Sequence, residues 1–102
     1  MKIVYHIGEK IEKDTIVKEG EILENNKIIY IKSDKETIKI NKISSIDLIT
    51  PGGLGTMIMI RYGYDSIIMA VPRLYLKIGT GILISNLSAT VKLKKKLEEY
   101  LI

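Results

Sequence analysis

The chain has no cysteine, no tryptophan and no phenylalanine, and among its 102 residues it has only two prolines and one histidine. Without cysteine there is no disulfide, no thiol nucleophile and no cysteine-ligated zinc. The lone His6 has no partner that would make it a general base or a metal ligand, and its bland reading is a structural or exposed residue. No nucleophile, base and orienting group recur at a useful spacing, and no carboxylate cluster has metal-ligand spacing. Catalysis, metals and cofactors are therefore not expected. No apolar run reaches the roughly 18 residues of a membrane span, and the N-terminus lacks the apolar core and cleavage site of a signal peptide. These absences point to a cytoplasmic protein.

What is present is an apolar content of 46%, enough for one domain over residues 1–102 with a real core. A domain of this size buries roughly two-thirds of the surface its unfolded chain exposes, so it folds without disulfides or metals. About one residue in five is isoleucine, and all but Arg61 and Arg73 of the 16 basic side chains are lysine. Such usage, with few amides, suggests an AT-rich genome and a thermophilic source. Residues 1–50 are neutral overall, so the net charge of +4 arises in the second half, chiefly from Lys92, Lys94, Lys95 and Lys96.

Period-two alternation favours strands until the last sixteen or so residues. Ile3, Tyr5 and Ile7 mark a first strand. Thr15–Val17 and Glu21–Leu23 are short extended pieces around Gly20, and Asn25-Asn26 is a turn tolerant of positive φ. Strands at 27–32 and 37–40 flank a turn at Asp34-Lys35. The imperfect alternation of 43–49 predicts a bulge. Pro51-Gly52-Gly53-Leu54-Gly55 is a hairpin loop. The strands 56–62 and 66–71 that follow it join at Gly63-Tyr64-Asp65, and both are so apolar that they belong at the sheet centre or under a helix. Pro72 ends the second. Residues 74–78 and 82–84 flank Gly79-Thr80-Gly81 as one more hairpin. The uncharged 82–84 strand is expected to be interior or to pair with a second copy in a dimer.

The period then changes. Thr90, Leu93, Leu97, Tyr100 and Leu101 form an apolar stripe opposite Lys92, Lys95, Lys96 and Glu99, an amphipathic helix over about 87–101 capped by Asn86 or Ser88. Lys94 with Glu98 and Lys95 with Glu99 are i,i+4 pairs. The fold class is thus mainly β (α+β): an antiparallel curled sheet or half-barrel of six to eight strands closed by one C-terminal helix.

This order resembles the pleckstrin-homology-like fold. Lys39-Ile40-Asn41-Lys42-Ile43-Ser44-Ser45-Ile46 is similar to the segment at which such domains cross between sheets, and Leu93–Leu101 to the closing helix. The tryptophan that many members carry in that helix is absent. Within the superfold, Lys18-Glu19-Gly20-Glu21 and Tyr62-Gly63-Tyr64-Asp65 resemble stretches of archaeal CheF-type taxis adaptors, which are longer chains. Phosphoinositide binding in pleckstrin-homology domains uses clustered basic residues in the first hairpin. Here Lys10 and Lys13 are interleaved with Glu9, Glu12 and Asp14, whose carboxylates repel phosphates, so it is not expected.

Neither glycine cluster binds phosphate by pattern, because Thr56-Met57-Ile58 after the first is a strand and the second lacks a third glycine and a helix. Met57, Met59 and Met69 read as core filler. Arg61, Tyr62, Tyr64 and Arg73 are residue types that dominate binding hot spots, with Tyr75 nearby; their structural reading is as edge residues whose rings shield the core. The sequence points to a non-catalytic module that binds another protein through these residues, in signalling or taxis. The alternative is binding of nucleic acid or an anionic surface through Lys92, Lys95 and Lys96. Against it stand the scarcity of arginine and of exposed aromatics, and the ordinary reading of such a lysine run as a solvated helix face.

Overall fold

The computed structural model describes residues 1–12, 15, 17–51, 55–72 and 85–101. Seven strands run through it: β1 (Lys2–Ile7), β2 (Lys18–Asn25), β3 (Ile28–Lys32), β4 (Thr37–Ile40), β5 (Ile43–Ile49), β6 (Met57–Tyr62) and β7 (Asp65–Ala70). A helix, α1 (Leu87–Leu97), follows and tightens into a 3-10 turn over Glu98–Tyr100. All strand pairings are antiparallel, in one sheet of order β4-β3-β2-β1-β7-β6-β5. One inner cluster draws Ile3, Ile22, Ile31, Ile40, Ile46, Ile60 and Ile67 from the seven strands and Leu93 and Leu97 from α1. The sheet therefore curls around a single core without closing, and β4 and β5 are its edges.

Local chemistry accounts for the turns. Asn26 and Lys27 both have positive φ, 51° and 64°, the signature of a two-residue type I′ hairpin whose twist matches that of the flanking strands. Lys27 thus belongs to the turn and not to the strand expected at 27–32. Gly63 at φ 57° opens the β6–β7 turn, and Tyr62 pairs with Asp65 across it, so β7 starts one residue early. The expected bulge in β5 is present as a register shift between Ile43 and Ser45.

Two expectations are corrected. Residues 15 and 17 are not in a strand, and 21–23 belong to one continuous strand, β2, with Gly20 in its interior. A Cβ at Gly20 would lie 3.0 Å from Tyr5 Cε1 and 3.1 Å from the Lys32 carbonyl oxygen, so the missing side chain is the space in which the buried Tyr5 ring packs. The helix stops at Leu97, and Leu101, expected on the buried stripe, is 40% exposed because the chain has already turned extended there. The expected hairpin at 74–84, with the dimer strand 82–84, and the loop residues 52–54 lie outside the described residues.

The central strands are apolar on both faces, and each face has its own cover. Inside the curl, α1 buries Thr90, Leu93 and Leu97. Asn86 Oδ1 accepts the Ala89 N–H at 3.1 Å as N-cap, and Thr90 Oγ1 accepts the Val71 N–H at 3.1 Å, tying the helix to the strand it follows. Lys94 pairs with Glu98 at 2.7 Å, whereas no Lys95–Glu99 pair forms among the described residues. Outside the curl, Val4, Met57, Ile68 and Ala70 form a second cluster, covered by Ile11 and Val17 of the segment between β1 and β2. The Gly8 N–H, donated to the Ser66 carbonyl at 2.9 Å, starts that segment across the sheet.

Helix burial separates two leucines that look equivalent in sequence. Leu97→Ala, at a fully buried site, should cost about 2–5 kcal/mol in urea unfolding. Leu101→Ala should cost well under half as much, and equal losses would show that the chain end is packed like the helix.

Candidate functional site

The partner-binding residues anticipated from the sequence are dispersed by the fold. Tyr62 faces inward and is only 9% exposed, so its ring serves the core; burial, with Asp65 nearby, raises its pKa above the ordinary tyrosine value. Its ring is not presented to a partner. Arg61 points to the outer face, where its Nη1 lies 3.4 Å from Glu9 Oε1, an exposed pair worth little. Tyr64 stands fully exposed at the β6–β7 turn. Arg73 lies outside the described residues. Lys92, Lys95 and Lys96 are exposed on α1, and Lys96 Nζ is 3.5 Å from Glu24 Oε1. Lysines in the last turn also complement the negative end of the helix dipole, which gives Lys94, Lys95 and Lys96 a structural role.

What the fold does bring together is an edge, a groove wall and a tip. β5 is a seven-residue edge strand, and among the described residues only Leu101 pairs with its outer side, through one parallel bridge at Ile43. Leu48 lies opposite Ile58 on the inner face yet is 43% exposed, since the sheet ends beside it. On α1, Leu93 and Lys96 form one flank of the helix and line a recess with Met1, Ile22 and Glu24, on the β2 side. At 100° per residue, Leu87 and Val91 fall on the opposite flank and are 58% and 40% exposed. Next to Ile43 the Gly63 N–H is donated to the Lys42 carbonyl at 3.4 Å, which sets the Tyr64 turn against the start of the edge. Exposed apolar side chains on β5 and α1 thus accompany an edge whose outer backbone groups, beyond the Ile43 bridge, have no strand partner among the described residues.

Two other concave regions are less suited to a role. The corner between β4 and β5 opens into a depression of about 440 Å³ with Lys27, Lys42 and Glu99 on its rim, so its charges oppose one another. A second depression of about 440 Å³ over β1–β3 mixes Lys2 and Lys32 with Glu19, Glu21 and Asp34. Among the described residues no group of three or more His, Asp or Glu is placed to hold a metal ion, and no helix is long and apolar enough to cross a membrane.

One polar cluster escaped the sequence reading. Tyr5 donates its hydroxyl to Glu36 Oε2 at 3.0 Å, and Lys18 Nζ donates to the same oxygen at 2.7 Å. Ser33 Oγ accepts the Lys35 and Glu36 N–H groups, shaping the β3–β4 turn that presents Glu36. The three residues are far apart in sequence and carry no motif, so no spacing signals them. Their role is structural: the carboxylate satisfies a buried phenol and closes one rim of the curl.

Comparison with known protein families, curated proteins and solved structures finds no match to this chain. The functional reading therefore rests on the geometry.

The cluster generates a pH dependence. The Lys18 ammonium and then the Tyr5 hydroxyl, both donating to Glu36, hold its pKa below the ordinary carboxylate value. A lowered folded pKa contributes stability that is present above the unfolded value and lost as pH falls through the folded one. The Lys18 pKa is raised, chiefly by its bond to Glu36, so its share is present below the ordinary lysine value and lost as pH rises through the higher folded one. Glu36→Gln should thus be less stable than wild type at neutral pH, and the gap should narrow in acid as the wild-type carboxylate protonates. A gap that is constant from neutral pH to strongly acidic solution would mean that charge on Glu36 contributes nothing.

Proposed function

We propose that this protein is a non-catalytic binding module of pleckstrin-homology-like architecture. It takes an extended segment of another protein along the outer edge of β5, beside α1. The carrying observation is the edge itself: among the described residues only Leu101 pairs with the outer side of this seven-residue strand, and Leu48 on it and Leu87 and Val91 on α1 are apolar and exposed. Soluble proteins blunt such edges with charge, proline or a covering element, and one left open beside an apolar wall is a template for a partner strand. Main-chain hydrogen bonds along β5 supply affinity and alternate side chains entering the gap toward α1 supply specificity. Tyr64, at the end of the edge, offers a rigid aromatic anchor.

Support for the architecture comes from the strand order, with the sequence passing from edge to edge at the Asn41-Lys42 corner, and from the C-terminal helix packed inside the curl. The likeness to taxis adaptors favours a signalling role in the cytoplasm. The basic-helix alternative through Lys92, Lys95 and Lys96 gains no comparable support, because Lys96 lies 3.5 Å from Glu24 and the lysines of the last turn already complement the helix dipole.

Peptides selected from a random library on the folded protein provide the test, with backbone amide shifts mapped on addition of the best binder. Shifts should concentrate on 43–49, 87 and 91. Leu48→Lys or Val91→Lys, both at exposed sites and so near-neutral for folding, should weaken binding at least about tenfold. Shifts centred on β2–β4, or a selection that yields no binder, would overturn the reading. Self-pairing of this edge would instead appear as a concentration-dependent dimer that Leu48→Lys dissolves.

A further inference from the structure

Resting on that docking reading, we infer that the partner segment carries a basic residue directly across from Asp47 and apolar residues across from Leu48 and Ile49. Successive residues of a strand alternate faces, and the residue directly across in a neighbouring strand shares the face, whichever way the two strands run. Ile46 and Leu48 pair with Ile60 and Ile58, which belong to the inner cluster, so both face inward. Ser45, Asp47 and Ile49 pair with Arg61, Met59 and Met57 and form the outer row, where Ile49 and Met59 pack against the outer cluster. A strand added to the open side of β5 therefore sets one side chain against Asp47 on the outer face. Its next side chain meets Leu48 on the inner face, and the third meets Ile49 on the outer face again.

Each of the three positions has its own chemistry. Asp47 is exposed, is the one charged residue of β5, and has no ion-pair partner among the described residues. Its diagonal neighbour on β6 is Arg61, whose Nη1 lies 3.4 Å from Glu9 Oε1 instead. Among the described residues, this part of the outer face sets three carboxylates, Glu9, Glu12 and Asp47, against Lys10 and Arg61, so the balance is negative. Opposite charges directly across a strand pair attract and like charges repel, so a base beside Asp47 is favoured and an acid is rejected. A charge on an edge discourages strand pairing in general, whereas a single carboxylate discourages acidic strands and selects basic ones. Leu48 is 43% exposed for want of a neighbour on its open side, and an apolar residue there covers it. Ile49 borders a depression of about 410 Å³ that Ile11, Pro51 and Met59 also line, which favours an apolar residue at the third position.

Parallel selection of a random peptide library on wild type, Asp47→Asn and Asp47→Lys provides the test, since selected peptides find their own register. Both substitutions are at an exposed site and so near-neutral for folding. Wild-type binders should share a Lys or Arg next to two apolar residues. Asp47→Lys should exchange that base for Asp or Glu, and Asp47→Asn should lose the preference. In the best wild-type binder, labelled and followed by anisotropy at low salt, changing the base to Glu should weaken binding about tenfold, with Gln in between. The difference should shrink as salt rises. Binders that shift the 43–49 amides yet carry no basic position, or a basic preference that Asp47→Asn leaves intact, would overturn the charge inference while the docking reading stands. Binders that shift other amides, or no binders at all, would overturn both.

Discussion

Everything in this molecule answers to one constraint: the strands β1, β6 and β7 are apolar on both faces. Ile3, Val4 and Tyr5 are buried in succession, as are Met57 and Ile58, and Ile67 through Ala70. A strand turns successive side chains to opposite sides, so such runs need a cover on each face. Among the described residues one helix and the residues around Ile11 and Val17 supply that cover. The helix fills the inside of the curl, and Ile11 and Val17 pack on the outside. With each buried Ile, Leu or Met contributing on the order of 1.5–3 kcal/mol, either cover is a large fraction of what holds a small domain together.

The same constraint explains where the molecule is left open. A seven-stranded sheet curled around one helix has two edges, and they are treated differently. β4 is short and carries Lys39 and Thr37 outward, the usual means of discouraging a partner strand. β5 is longer, bulged, and flanked by apolar side chains from both the sheet and the helix. Polar closure is spent elsewhere, at the rim where Glu36 gathers Tyr5 and Lys18 and at the helix end where the Tyr100 hydroxyl is donated to Glu24 at 2.7 Å. The docking reading rests on the difference between the two edges: beyond its bulge and the Leu101 bridge, β5 has nothing over its outer side among the described residues.

Elements governed by neighbours in sequence were legible without coordinates. β4, the β5 bulge, the apolar character of β6 and β7, the Asn86 cap and the Leu93–Leu97 stripe all follow from turn chemistry and periodicity. The continuity of β2 through Gly20 was not legible, because glycine reads as a break unless one knows that a tyrosine from the adjacent strand needs its space. The strap was missed because Ile11 and Val17 sit in a charged stretch with no period of their own, though the second apolar face of the central strands was the signal that something must cover it.

The candidate site divides in the same way. Tyr64 is exposed and Tyr62 buried although they are two residues apart and alike in type, since a turn intervenes and reverses which way the chain faces. By itself the sequence determined the class of fold, the ends of every strand but β2 to within a residue and the start of the helix, because hydrophobic period, glycine and caps act over a few residues. Only the tertiary structure decided which strands became the edges of the sheet and that Glu36 would meet Tyr5. Those outcomes depend on the order in which strands pair and on the way the sheet curls, and neither is encoded in any local stretch of the chain.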